Sequence, residues 1–299
     1  MKNFLFRLAV TMTFLSGCSD LFAQEEDLLK LVGDDKPKKE IVKNAFKSPR
    51  IINGQSMEFL RPGTMDFRIL HRFGQLDQGY KNFFGLDQAS MRMGFDFGIL
   101  KNLMVGVGRS TYKKELDAYF KYAPLLQSKG KGAFPFTLAA VAGITMDGMP
   151  WADPDRQNFF TSRLGYFFQA IIGRMMTEKL TLQLTPTLVH QNLIKLAADS
   201  NNVFALGIGG RFRLSRRVAL TWDYYHVYNS FTDADYQDPL SVGVDIETGG
   251  HVFQLHFSNS TGMNERAFIT ETTGKWDKME IRFGFNLSRV FQLKKKNLK

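Results

Sequence analysis

The residue pair whose types and spacing could support nucleophilic catalysis is His256 and Ser258, which lie two positions apart. A hydroxyl and an imidazole on one face of a strand are what a barrel lipase would need as nucleophile and general base. The sequence places no third group to orient the imidazole. We therefore interpret the two side chains as a hydrogen-bonded structural pair and predict that the protein is not an enzyme.

The sequence also gives little indication of a metal site. Asp147, Asp153 and Asp155 share one acidic stretch, but they lack the spacing of a calcium-binding loop. The single cysteine, Cys18, excludes an internal disulfide and a thiolate metal site. We expect no metal site and no cofactor.

A larger set of charged residues alternates along the chain with apolar ones, and we expect it to line the interior of a sheet. Because both signs are present, arginines can pair with carboxylates across neighbouring strands. The predicted interior residues are Arg68, Arg72, Arg92, Asp96, Arg163, Arg211, Arg213, Asp223, Asp245, Glu280 and Arg282. They would either form an ion-pair network that fills the interior or border a water-filled pore.

Such a set requires strands with one apolar and one polar face. Residues 278–293, KMEIRFGFNLSRVFQL, show this two-residue period, and residues 65–73 repeat it near the start of the chain. We predict twelve strands in one antiparallel up-and-down transmembrane β-barrel, closed by the first and last strands. They cover residues 65–73, 91–99, 103–108, 116–126, 134–146, 160–174, 180–190, 203–214, 218–228, 240–247, 250–258 and 278–293.

The connections between these strands alternate in length and charge. Short basic joins, such as 101–102 and 215–217, alternate with long acidic ones, such as 147–159 and 229–239. Outer-membrane barrels alternate short periplasmic turns with long external loops, whereas a soluble barrel has no reason to sort them. The pattern predicts an outer-membrane protein with both ends in the periplasm, in contact with lipid and open to small solutes as partners.

The two ends of the chain carry separate signals. Residues 1–23 are typical of a signal peptide, although the sequence around Cys18 also resembles a lipidation site. Residues 24–63 would be a periplasmic lead-in or a plug segment, 64–293 the barrel, and 294–299 a basic tail. The net charge of +10 lacks an aromatic-interleaved basic patch, so nucleic acid is not an expected partner.

Several stretches carry a resemblance to known proteins, among them MDFRILHRFG, VGVGRSTY and IRFGFNLSRVF. Together they resemble a Bacteroidota family of exported β-barrel proteins of unknown function, over residues 45–291. The resemblance implies an outer-membrane location and assigns no active site. Three functions stay open: a small-solute channel or transport-associated protein, a structural or docking barrel with a filled lumen, and a lipase-like enzyme.

Overall fold

The computed structural model describes residues 39–293, which contain one closed antiparallel barrel. The predicted signal peptide, the lipidation candidate Cys18 and the basic tail at 294–299 lie outside the described residues. None of the helices within residues 39–293 is long and apolar enough to cross a bilayer.

Twelve strands, numbered here in chain order, form the barrel. They are β1 (Thr64–Gln75), β2 (Ala89–Leu100), β3 (Leu103–Ser110), β4 (Leu116–Leu125), β5 (Thr137–Met146), β6 (Leu164–Met175), β7 (Leu180–Gln191), β8 (Asn202–Arg213), β9 (Val218–Val227), β10 (Leu240–Thr248), β11 (His251–Ser258) and β12 (Arg282–Gln292). Consecutive strands pair, and β12 pairs with β1 through neighbours such as Leu287 and Ile69. The sheet therefore has no free edge, and the predicted twelve-stranded barrel is confirmed.

The remaining elements are short. Helix α1 covers Glu265–Thr270, and single 3₁₀ turns cover Leu76–Gln78, Tyr80–Gly85, Tyr112–Lys114 and Phe160–Arg163. Two-residue strands occur at Glu40–Ile41 and Ser128–Lys129. The barrel belongs to a compact unit of residues 41–128 and 134–293, while residues 39–40 and 129–133 belong to a second unit.

Burial alternates along each strand as the two-residue period requires. On β2, Met93 and Phe95 are 42% and 39% exposed, whereas Arg92 and Asp96 are each 1% exposed. A charge on the lipid face costs about 2–4 kcal/mol at mid-membrane, so the charged parity faces inward. The apolar parity then forms the surface that contacts lipid.

Three strands start three or four residues later than the periodicity predicts, each for a local reason. The strand expected at 160–174 begins at Leu164, because Phe160–Arg163 forms a 3₁₀ turn. The strand expected at 134–146 begins at Thr137, after Pro135, which has no N–H to donate to a ladder. The closing strand begins at Arg282, because Met279 has φ of 58° and breaks the extended run.

Most connections separate by length onto the two ends of the barrel, with two exceptions: the join 126–136 is long for its end, and the join 111–115 is short for its end. The short-turn end carries joins 101–102, 126–136, 176–179, 214–217 and 249–250, of which 126–136 is longer than predicted. The long-loop end carries joins 76–88, 111–115, 147–163, 192–201, 228–239 and 259–281.

Adjacent residues on β8 test which face meets lipid. Phe212 is 39% exposed and Arg211 is 6% exposed, so we expect Phe212→Arg to abolish assembly by placing a guanidinium in lipid. Arg211→Leu should still assemble, because Asp245 keeps hydrogen bonds from Thr221 and Gln254. The heat-modifiable gel shift of the folded barrel measures both outcomes. The opposite ranking of the two variants would contradict the assigned faces.

Candidate functional site

The N-terminal insert, residues 45–60, lies within the barrel and is almost completely buried. It contains a tight hairpin in which Arg50 bridges Gln55 and the Ile51 amide donates to the Gly54 carbonyl at 2.9 Å. The Ser56 amide closes the base of the hairpin on the Pro49 carbonyl. The hairpin thus presents its tip, Ile52 and Asn53, to the barrel wall.

One carboxylate of the wall holds this tip. Asp223 Oδ2 on β9 accepts hydrogen bonds from the backbone amides of Ile52 at 3.3 Å, Asn53 at 2.7 Å and Gly54 at 3.0 Å. Three N–H donors stabilise an ionised carboxylate where no water is available. Asp223 therefore binds the insert rather than a neighbouring arginine.

Other polar groups of the wall satisfy the rest of the hairpin. Arg72 donates to Asn53 Oδ1 at 2.6 Å, Asn286 to the Ile52 carbonyl at 3.0 Å, and Gln183 to the Gln55 carbonyl at 2.7 Å. Within the described residues, hydrogen bonds to the insert come from at least seven strands, through Arg68, Arg72, Lys121, Thr181, Gln183, Asp223, Ser241, Gln254, Ser258 and Asn286. The contacts surround the insert on most of the circumference.

Close packing also fixes the insert. A Cβ at Gly54 would lie 2.1 Å from the Tyr225 hydroxyl oxygen, and one at Gly209 would lie 2.3 Å from Ile51 Cδ1. At Gly54 a larger residue would displace the buried Tyr225 ring, whereas at Gly209 the flexible end of the Ile51 side chain would have to shift. The insert and the wall are therefore shaped to each other.

A second segment, the loop insert of residues 259–272, enters from the long-loop end and is also largely buried. Its helix α1 is capped by Asn264, whose side chain accepts from the Ala267 amide at 2.9 Å. Arg266 on α1 donates to Glu115 at 2.6 Å and also bonds Glu271. Burial alone would raise the pKa of Glu271, but Arg266 and Lys113 outweigh it and lower that pKa below its usual value.

The two inserts meet at an ion pair. Arg50 of the N-terminal insert donates from Nη1 to Glu265 Oε1 at 3.0 Å and from Nη2 to Oε2 at 3.4 Å. Gln55 adds a third hydrogen bond to Glu265 at 3.1 Å, and both charged side chains are 0% exposed. Because each charge is fully withdrawn from water, each depends on the other for compensation.

Several of the residues predicted to be interior form ion pairs in the wall. Arg68 pairs with Asp66 and lies 3.7 Å from Asp96, and Arg211 Nε lies 3.9 Å from Asp245 Oδ2. Arg92 pairs with Asp117, a partner outside the predicted set. Arg72 has amide partners, Asn53 and Asn286.

Other predicted interior residues lie elsewhere. Arg163 is not on β6, because the strand starts one residue later and Arg163 ends the preceding 3₁₀ turn. Its side chain donates to the Asp147 carbonyl at 3.0 Å. Glu280 precedes β12 and accepts from the Lys275 amide at 2.9 Å. Arg213 reaches exposed Glu178 at the short-turn end, and Arg282 is half-buried at the start of β12.

The pair His256 and Ser258 is not joined by a hydrogen bond. Ser258 Oγ instead accepts from Ser241 Oγ at 2.9 Å, and neither ring nitrogen of buried His256 has a partner among residues 39–293. A nucleophile needs its base within hydrogen-bond reach, which this arrangement does not supply. The same described residues contain no group of three or more side chains suited to hold a metal.

An apolar cluster inside the barrel was not anticipated from the sequence. Phe46, Ile51 and Met57 of the N-terminal insert pack with wall residues such as Phe167 and Ile171, both 0% exposed. The strand that carries them, β6, is apolar on both faces (LGYFFQAIIGRM), a pattern typical of strands buried on both sides. An apolar inner face on β6 therefore indicates, from sequence alone, that protein fills the interior beside this strand.

Comparison with family models matches residues 46–291 to a family described as "Membrane bound beta barrel domain (DUF5777)". The chain belongs to this family. The match covers the barrel and nearly all of the N-terminal insert, so the insert is part of what the family shares with this chain. A search of curated proteins gives no significant match.

Solved structures of other membrane barrels are also similar. The NanC porin aligns at 10% identity and a TM-score of 0.47, covering 76% of this chain and 98% of the porin. LpxR from Salmonella typhimurium aligns at 8% identity and 0.35, covering 76% and 100%. The CymD monoaromatic hydrocarbon channel aligns at 10% identity and 0.34, covering 78% and 90%.

The ion pair between the inserts should dominate their stability. Glu265→Gln leaves the Arg50 charge buried without compensation, and we expect the free energy of unfolding to fall by about 3–5 kcal/mol. Glu178→Gln removes the exposed pair with Arg213 and should cost at most about 1 kcal/mol. Urea unfolding in lipid or detergent compares the two variants. Equal effects would contradict the assigned role of the buried pair.

Proposed function

We propose that this membrane-bound barrel works in the outer membrane as a closed docking component that binds at its long-loop end. The N-terminal insert serves as a plug, and the loop insert completes the seal. Solutes do not pass steadily through the lumen in this state. The protein acts through the surface and the cavity that its long loops present.

The Arg50–Glu265 pair is the observation that carries the proposal. Both side chains are 0% exposed, and each insert supplies one of the two charges. A continuous water path past this point would hydrate them, because charged groups retain water wherever they can reach it. A filled lumen is therefore the functional state that best fits the pair.

A gated small-solute channel is the second candidate. It is supported by the contacts between wall and hairpin, many of which are hydrogen bonds, such as those of Asp223, Arg72 and Gln183. Water can replace such hydrogen bonds once the insert leaves, at a small net cost per bond. Displacement of the insert would then leave a polar lumen suited to small hydrophilic solutes. No catalytic step is part of either candidate.

The outer-membrane location is part of the same proposal. Its support is the signal-like segment 1–23, the lipid-facing apolar parity and the separation of short turns from long loops. The long-loop end would then face the outside of the cell, and both chain ends the periplasm. Lipidation at Cys18, the alternative to plain cleavage after Ala23, stays a prediction from sequence.

Planar-bilayer conductance of protein extracted from the outer-membrane fraction tests both candidates. The natural chain should show no steady current. Gly54→Leu should prevent the hairpin from seating, because its Cβ would meet the Tyr225 hydroxyl at 2.1 Å. Deletion of residues 45–60 removes the insert altogether, and both variants should conduct. Asn82→Leu, in a loop outside the barrel, is the matched control and should stay silent.

The outcomes separate the candidates. Steady current through the natural chain would contradict a closed lumen. A silent natural chain that opens reversibly without mutation, for example under applied voltage, would favour the gated channel. Recovery of the protein in the soluble periplasmic fraction would contradict the membrane location.

A further inference from the structure

A cavity of about 660 Å³ opens at the long-loop end, beside the loop insert. Its walls come from the turn at 112–113, the loops 147–165 and 191–195, the segment 231–236, and residues 266–273. Cavities of this size suit small molecules rather than proteins. None of the groups described above as plug or wall contacts fills it.

The cavity is electropositive although the loops around it are acidic. Five cationic side chains line it, Lys113, Arg156, Arg163, Lys195 and Arg266, against three carboxylates, Asp147, Asp233 and Glu271. Glu115 does not line the cavity but pairs with Arg266. When Glu115 is counted too, these side chains have a net formal charge of one positive unit. An excess charge inside a partly enclosed cleft attracts ligands of the opposite sign.

The cationic side chains without an ion pair are two arginines, which Asp147 offsets in part. Lys113 is paired with Glu271, and Lys195 with Asp233, each at 2.6 Å. Among residues 39–293, neither Arg156 nor Arg163 forms an ion pair. Their guanidinium groups are the cationic groups of the cavity that remain available to an anion.

Arg163 is also held in place before any ligand arrives. Its guanidinium carbon lies 3.7 Å from the centre of the Trp151 ring, and Nη1 donates to the Asp147 carbonyl at 3.0 Å. A stacked guanidinium keeps its remaining N–H donors free, and its fork matches a carboxylate. Arg163 is therefore preorganised for a planar anionic group.

A second observation points the same way from the floor of the cavity. Arg266 is 6% exposed, and its Nη2 has no hydrogen-bond partner within the described part of the chain. Buried guanidinium donors normally have partners, because a donor that is withdrawn from water and left without an acceptor destabilises the fold. Because Nη2 itself is buried, a shift of the Arg266 side chain towards the cavity would let a ligand oxygen supply the missing acceptor.

The remaining lining indicates what kind of anion fits. Tyr112, Phe231 and Tyr236 present aromatic surface, while Asp147, Gln191 and Thr270 present hydrogen-bonding groups. Aromatic rings pack against the C–H faces of sugar rings, and carboxylates and amides accept or donate to hydroxyl groups. A small inorganic anion could accept from Gln191 and Thr270, but it would leave the aromatic faces and the Asp147 carboxylate unused.

We propose that this cavity binds an acidic sugar, with its carboxylate on Arg156 and Arg163 and its hydroxyl groups on the neighbouring polar side chains. The proposal names a ligand class for the long-loop end, and so it rests on the docking function proposed above. Arg266 and Glu271 belong to the loop insert, so bound ligand also contacts the segment that carries Glu265. Occupancy should therefore stabilise the loop insert.

Isothermal titration of the full-length protein in detergent tests the ligand class. The probes are D-glucuronate, D-glucose as its uncharged match, and inorganic phosphate as a small anion. We expect saturable heat with glucuronate and none with glucose or phosphate at equal concentration. Arg156→Gln should weaken glucuronate binding about tenfold or more, since it removes a charge-assisted hydrogen bond. Lys179→Gln, at the short-turn end, should leave binding unchanged.

Each other result overturns the proposal. No heat with glucuronate excludes an acidic-sugar site, equal binding of glucose excludes recognition of the charge, and equal binding of phosphate excludes recognition of the sugar. Unchanged affinity in Arg156→Gln excludes the assigned arginine, provided that the heat-modifiable gel shift shows a folded barrel. Conductance of the same preparation is measured separately. A protein that carries no steady current and does not bind glucuronate refutes the acidic-sugar site but not the closed lumen.

Discussion

Most charged side chains on the barrel strands point inward, because lipid does not solvate them. Where water is excluded from the interior, each charge needs a partner of opposite charge or hydrogen bonds. This constraint governs the whole interior. The wall alone pairs some of its charges, as Arg92 does with Asp117, but Asp223 accepts hydrogen bonds from the N-terminal insert, and Arg72 donates to both the insert and the wall residue Asn286. Conversely, Arg50 of that insert is compensated by Glu265 of the other. Removing either insert would leave charges that only water could satisfy, so the filled and the hydrated lumen are alternative states of one barrel.

In a pore, inward charges border a water-filled path. In this barrel they bind the two inserts, and the accessible cavity is formed by the long loops. The loop insert takes part in both, because α1 places Glu265 on the central ion pair and Arg266 beside the cavity. Helix α1 is therefore the element that joins the cavity to the N-terminal insert. The family match, over residues 46–291, includes nearly all of the N-terminal insert.

The barrel could be predicted from sequence, because a bilayer permits few arrangements of a chain with a two-residue period. The strand number and the lipid-facing parity follow from that constraint. The inserts have no such period, and their contacts join residues far apart in sequence, as Arg50 and Glu265 are. Local signals existed: Asn53-Gly54 is a turn dipeptide, and Asn264 before an apolar run is typical of a helix cap. They predict a hairpin and a helix, but not that the two meet inside the barrel.

The position of the hairpin tip can be measured without mutation. The amides of Ile52, Asn53 and Gly54 all donate to Asp223, so hydrogen–deuterium exchange of a peptide covering residues 48–56 reports directly on the seated insert. A closed lumen predicts exchange as slow as that of the barrel strand β9 that carries Asp223. Exchange as fast as that of the exposed loop at 151–158 would contradict it, because the insert would then spend most of its time away from the wall.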